Sequence, residues 1–174
     1  MAQPVIYDTC LLSHVAEIGY LHILDFLYKD RPEPRWTPAV KREVTKGAAI
    51  HVFCKQILAL TWLGEPQEPQ DTNAVLHLRN QLSSQDDPQT ANMGEAESII
   101  LAREVNGSFM TNDFGAYYRA GEKQYLAPNR VFSACNALNE AREYGKLSPI
   151  EVEEAHNLIR AKRRMICDCR LKLP

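Results

Sequence analysis

Pro4-Val5-Ile6-Tyr7-Asp8-Thr9-Cys10-Leu11-Leu12-Ser13-His14 is the stretch on which the fold turns. It opens as a short apolar run and stops at a polar Asp-Thr pair, which predicts a strand over about residues 4–8. Helical spacing follows over about 10–29. Leu11, Leu12, Val15 and Ile18 share one face, and Leu21, Leu24, Phe26 and Leu27 continue the stripe. Gly19 between the two sets marks a bend or a break.

The same alternation recurs outward. A short strand is expected around 35–37. Thr37 is then a helix cap with Pro38 in the first turn, where its missing N–H costs nothing. Helices are expected over about 50–57, 73–83, 94–105 and 114–121, with Gly107 stopping the third. Strands are expected at 57–63, at 108–111 and near Tyr125-Leu126-Ala127. Two helices close the chain, one over about 130–143 and one after Ser148-Pro149, with Glu151 in capping-box position to Ser148. Strands alternating with helices predict an α/β fold with a mostly parallel sheet flanked by helices.

The 174 residues suit one domain, with a core over about 4–128 and a helical extension over about 129–165. A net charge of -2 says little about partners, because a local basic patch can act on its own. No run is long and apolar enough to span a bilayer. Met1-Ala2-Gln3-Pro4 lacks the basic region and apolar core of a signal peptide, so a cytoplasmic location is expected. Cys10 and Cys135 read as small core residues and the thiols as reduced. Cys167 and Cys169 lack the further ligands a zinc site needs.

Four acidic stations fall where such a fold could gather them. Asp8 ends the first apolar run, and Glu43 sits in Thr37-Pro38-Ala39-Val40-Lys41-Arg42-Glu43-Val44. Glu95 and Glu97 open Gly94-Glu95-Ala96-Glu97-Ser98-Ile99-Ile100-Leu101-Ala102, and Asp113 follows Phe109-Met110-Thr111-Asn112. In an open parallel sheet ligands bind beyond the C-terminal strand ends. Clustered carboxylates repel one another, and a hard divalent cation relieves that repulsion. Thr9, Thr111 and Asn112 are placed to bond these acids or a metal-bound water. Each acid also has a plain reading: Asp8 as a helix cap, Glu95 and Glu97 as partners of a helix dipole, Glu43 paired with Lys46.

These four motifs, in this order, resemble the PIN-domain family, and within it the toxin-like prokaryotic ribonucleases. The resemblance spans about residues 4–120. It implies a Rossmann-like sheet and Mg²⁺- or Mn²⁺-dependent endonucleolytic cleavage of RNA. Carried over by motif, Asp8, Glu43, Glu97 and Asp113 are the catalytic acids, with Asp8, Glu95, Glu97 and Asp113 as metal ligands. Glu95 and Glu97 point about 200° apart on a helix, so one of them faces the metal. The apolar run after Glu97 favours Glu97. Ala116 stands where some relatives carry a further acid. The resemblance also implies a cognate antitoxin and a homodimer, through the apolar face of 11–27.

Lys41 and Arg42, and the run Arg160-Ala161-Lys162-Arg163-Arg164, are the candidate phosphate contacts. The run reads equally as a solvated helix end. Tyr117 and Tyr118 could stack on a base but are expected to pack on the sheet. His14 is the histidine nearest the first motif. Alternatives are a non-catalytic PIN-like domain that binds RNA or protein, and a structure-specific DNA nuclease or phosphatase. A nucleotide-binding Rossmann domain is disfavoured, because no glycine-rich loop follows the first strand.

Overall fold

The computed structural model describes residues 2–84, 88, 91–122 and 125–162; for Glu122 and Lys162 it describes only the backbone. β1 (Val5–Tyr7), β2 (Ser108–Met110) and β3 (Val131–Phe132) form a parallel sheet in the order β1-β2-β3. In register, Ile6 stands beside Phe109 and Phe109 beside Val131. That row faces one core, with Val75, Leu78, Ile99, Ile100 and Ala120. Val5, Tyr7 and Met110 face the other, with Leu11, Leu24, Val40, Leu138 and Ile159. Both faces are covered, which is why β1 is apolar at every position rather than alternating. The fold is α/β and mostly helical.

The helices are α1 (Thr9–Glu17), α2 (Leu21–Tyr28), α3 (Pro38–Ala48), α4 (Val52–Leu58), α5 (Thr72–Leu82), α6 (Met93–Glu104), α7 (Phe114–Glu122), α8 (Ala134–Glu143) and α9 (Pro149–Lys162). Their starts follow local chemistry. The Asp8 carboxylate caps α1 through Leu11 N–H at 2.7 Å. Thr37 caps α3, whose first residue is Pro38. Ser148 and Glu151 bond each other's backbone N–H groups at the start of α9. Gly19, at φ 82°, divides α1 from α2.

Three expected strands change. Arg35–Trp36 belongs to no strand, and a single bond from Tyr7 N–H to the Arg35 carbonyl at 2.8 Å ties it to β1 without forming a ladder. Residues 57–63 end α4 and continue into a 3₁₀ turn, where Ile57 and Leu63 are buried. The apolar run there fills a helical core site, and apolarity alone does not separate the two cases. The third strand lies at Val131–Phe132 rather than 125–127, and α8 starts after it. The sheet therefore extends past residue 128, and α9 buries Val152, Ala155 and Ile159 in the same core as α1 and α2. Cys10 and Cys54 are not in a disulfide, whereas Cys135 is disulfide-bonded, which corrects its reading as a reduced thiol. Cys167 and Cys169 lie outside the described residues. No helix among the described residues is long and apolar enough to cross a membrane.

Candidate carboxylate site at the strand ends

Asp8 leaves the C-terminal end of β1 with none of its surface exposed. One carboxylate oxygen caps α1. The other accepts from the Thr111 hydroxyl at 2.5 Å, directly after β2. Thr111 in turn accepts from Asp113 N–H at 2.9 Å, so one hydroxyl ties the two strand-end acids together. Burial pushes the Asp8 carboxyl well above the usual carboxylate range, and the charges of Glu95 and Asp113 add to it. The Thr111 and Leu11 hydrogen bonds pull the other way.

Glu43 reaches the same place from α3. The Thr9 hydroxyl donates to one of its oxygens, and Gly94 N–H to the other at 3.3 Å. Its carboxylate thus lies on the N-terminus of α6, where the dipole favours it. A Cβ at residue 94 would stand 2.8 Å from a Glu43 oxygen, so a side chain there would displace that carboxylate. Burial raises the Glu43 pKa, against its bonds to Thr9 and Gly94. No Glu43–Lys46 ion pair forms among the described residues.

Glu95 and Glu97 separate as their helical angle requires. Glu97 turns to α3. Its carboxylate accepts from Ala39 N–H at 3.0 Å and lies 3.6 Å from the Arg42 guanidinium. α3 and α6 therefore cap each other, Glu43 on Gly94 and Glu97 on Ala39. Glu95 turns to the acids. Burial pushes it up to about 7, with Glu43 and Asp113 repelling its charge. Asp8, Glu43, Glu95 and Asp113 are thus linked by the action of their charges on one another, and the charge of Glu97 also acts on Glu43.

The neighbours divide between site and scaffold. Thr9 and Thr111 each donate to a carboxylate. Asn112 is spent on the fold. Its carbonyl accepts from Ala134 N–H at 2.9 Å, and its amide lies 3.2 Å from His14 Nδ1. His14 is buried against Cys10, with the sulfur 3.5 Å from Nε2. Ala116 is buried and donates its N–H to Asp113, so an acid there would enter the core. Lys41 pairs with Glu65 at 3.5 Å and lies over the Trp36 ring, while Arg42 pairs with Glu97. Arg160 is exposed on α9; Arg163, Arg164 and the Lys162 side chain lie outside the described residues.

Tyr117 packs against the sheet-side core as expected, whereas Tyr118 is exposed. Phe114 went unread in the sequence. Its position four residues before Tyr118 was the available signal, since residues so spaced share a helix face.

Four carboxylates supply only oxygen donors, the chemistry a hard divalent cation takes. As placed, their oxygens turn to Leu11, Thr111, Thr9, Gly94 and Ala116. Among the described residues no three His, Cys, Asp or Glu side chains are already disposed around a common ion position. The donor types fit such a cation, and the internal bonds to Asp8 and Glu43 are those it would compete with. Comparison with known proteins found no match: no family model, no curated protein and no solved structure is significantly similar to this chain.

Proposed function

We propose that the chain is a divalent-cation-dependent endoribonuclease with Asp8, Glu43, Glu95 and Asp113 as its working acids. The observation that supports this reading is that Asp8 and Asp113, after β1 and β2, lie near enough to Glu95 for their charges to act on it or be acted on by it. Glu95, which Glu43 also repels, is pushed up to about 7 mainly by burial. Burial, with like-charge repulsion added, raises the pKa of Asp8, Glu43 and Glu95, and a cation offers these buried carboxylates an alternative to a proton.

Asp8, Glu95 and Asp113 would hold the cation, Mg²⁺ or Mn²⁺, with Glu43 beside them. The cation supplies a water of lowered pKa and neutralises charge on the phosphate. Thr111 fixes Asp8 relative to Asp113, and Thr9 fixes Glu43 against α6. Glu97 is a positioning residue that sets α3 against α6. RNA as substrate, an antitoxin partner and a homodimer rest on the motif resemblance. The 11–27 face gives the dimer little support, because Leu11, Leu12, Val15, Ile23 and Leu24 are consumed in the chain's own core.

One observation favours a second reading, a non-catalytic domain that binds RNA or protein: the internal hydrogen bonds already satisfy Asp8 and Glu43. Cleavage of a mixed RNA pool in Mn²⁺ separates the two. The nuclease reading expects metal-dependent cleavage that vanishes in Asp8→Asn. Intact RNA after incubation with folded wild type would favour the second reading.

A further inference from the structure

A cavity of about 410 Å³ is walled by the sheet and by the helices α2 and α8, and none of the four strand-end acids lines it. Its apolar side is Val5, Met110 and Phe132, one residue from each strand. Its polar side is Tyr28 at the end of α2, Arg31 just beyond, and Glu140 of α8. The two charges share the cavity without meeting. The Tyr28 hydroxyl donates to one Glu140 oxygen at 2.7 Å, while the Arg31 guanidinium lies over the Tyr28 ring, 6.0 Å from its centroid. Among the described residues neither Arg31 nor Glu140 forms an ion pair. Both charges act on the Tyr7 hydroxyl, which is buried and has no hydrogen-bond partner among the described residues.

A cation and an anion held apart in one cavity suit a small molecule that carries both charges close together. An α-amino acid has its carboxylate and its ammonium on one carbon. The planar guanidinium fork matches the carboxylate, and the Glu140 oxygen that Tyr28 leaves open accepts from the ammonium. The volume is that of a small-molecule site, and Val5, Met110 and Phe132 give an apolar side chain its wall. We propose that this cavity binds a free α-amino acid with a large apolar side chain, its carboxylate on Arg31 and its ammonium on Glu140. A peptide terminus carries only one of the two charges and lacks the match. The site stands whether or not the strand-end acids cleave RNA.

The test is calorimetric titration at pH 6 of L-phenylalanine, L-leucine and L-methionine into the wild-type chain. N-acetyl-L-phenylalanine, without the ammonium, and L-phenylalaninamide, without the carboxylate, are titrated beside them. Arg31→Met and Glu140→Gln are measured in the same way, each first shown to melt as wild type does; Glu140→Gln keeps an acceptor for Tyr28. The expected result is binding of at least one of the three amino acids, weakened about tenfold or more by removing either charge from ligand or wall. Wild type that binds none of the three at millimolar concentration overturns the proposal. Binding that acetylation and amidation leave undiminished, or that both substitutions leave unchanged, overturns it too. Should a variant fail to fold, the two analogues on wild type decide.

Discussion

Glu95→Gln should make the protein more stable at pH 8, with a much smaller gain at pH 5. The substitution keeps the side chain's shape and removes the charge that Glu43 and Asp113 repel. In the unfolded chain Glu95 ionises near 4.5, and in the fold near 7, mainly because it is buried. The folded state therefore holds the proton more tightly. Its stability is highest below about pH 4.5 and falls as pH rises towards 7, after which the full penalty remains. A shift of that size corresponds to about 3 kcal/mol, and partial solvent contact reduces it to roughly 2. For a chain of this length that is about 4–8 °C in melting temperature. The Asp8 carboxyl, relieved of its Glu95 neighbour, moves stability in the same direction. The assay is thermal and urea unfolding of wild type and Glu95→Gln in EDTA at pH 5 and pH 8. A variant that melts with wild type at pH 8, or below it, would refute the claim that Glu95 is buried among like charges.

Three further outcomes follow from the same geometry. Thr111→Val removes the donor to buried Asp8 and the acceptor of Asp113 N–H, and should cost roughly 2–3 kcal/mol in urea unfolding. Glu97→Ala strips the N-terminus of α3 of its carboxylate and should cost about 1 kcal/mol by the same measurement. Gly107→Ala places a Cβ 2.8 Å from the Pro4 carbonyl oxygen, which accepts from Ser108 N–H at the start of the β1–β2 ladder; melting should report a loss of roughly 1–3 kcal/mol.

The helices were legible because their starts carry local chemistry. Thr37-Pro38, Ser148 with Glu151, and Asp8 before Thr9 each satisfy backbone N–H groups from a few residues away. The strands were legible where apolar runs stood alone, at 5–7 and 108–110. They were not legible at 57–63, where Ile57 and Leu63 fill the core from a helix end and a 3₁₀ turn. Val131–Phe132 is too short to show a pattern, and the sheet places it by pairing with β2. Among site residues, the choice between Glu95 and Glu97 depended on where α3 lies. That is tertiary information, because periodicity states only that the two diverge. Asn112 looked like a site residue by adjacency to Asp113, and only the approach of Ala134 and His14 shows what occupies it.

The most direct test of the central claim is calorimetric titration of Mn²⁺ at pH 7.5 into wild type, Glu95→Gln and Glu97→Gln. A cation site built on Asp8, Glu43, Glu95 and Asp113 predicts binding with proton release in wild type, strong weakening in Glu95→Gln, and near-normal affinity in Glu97→Gln. Binding lost in Glu97→Gln and retained in Glu95→Gln, or no heat of binding to folded wild type, would contradict it.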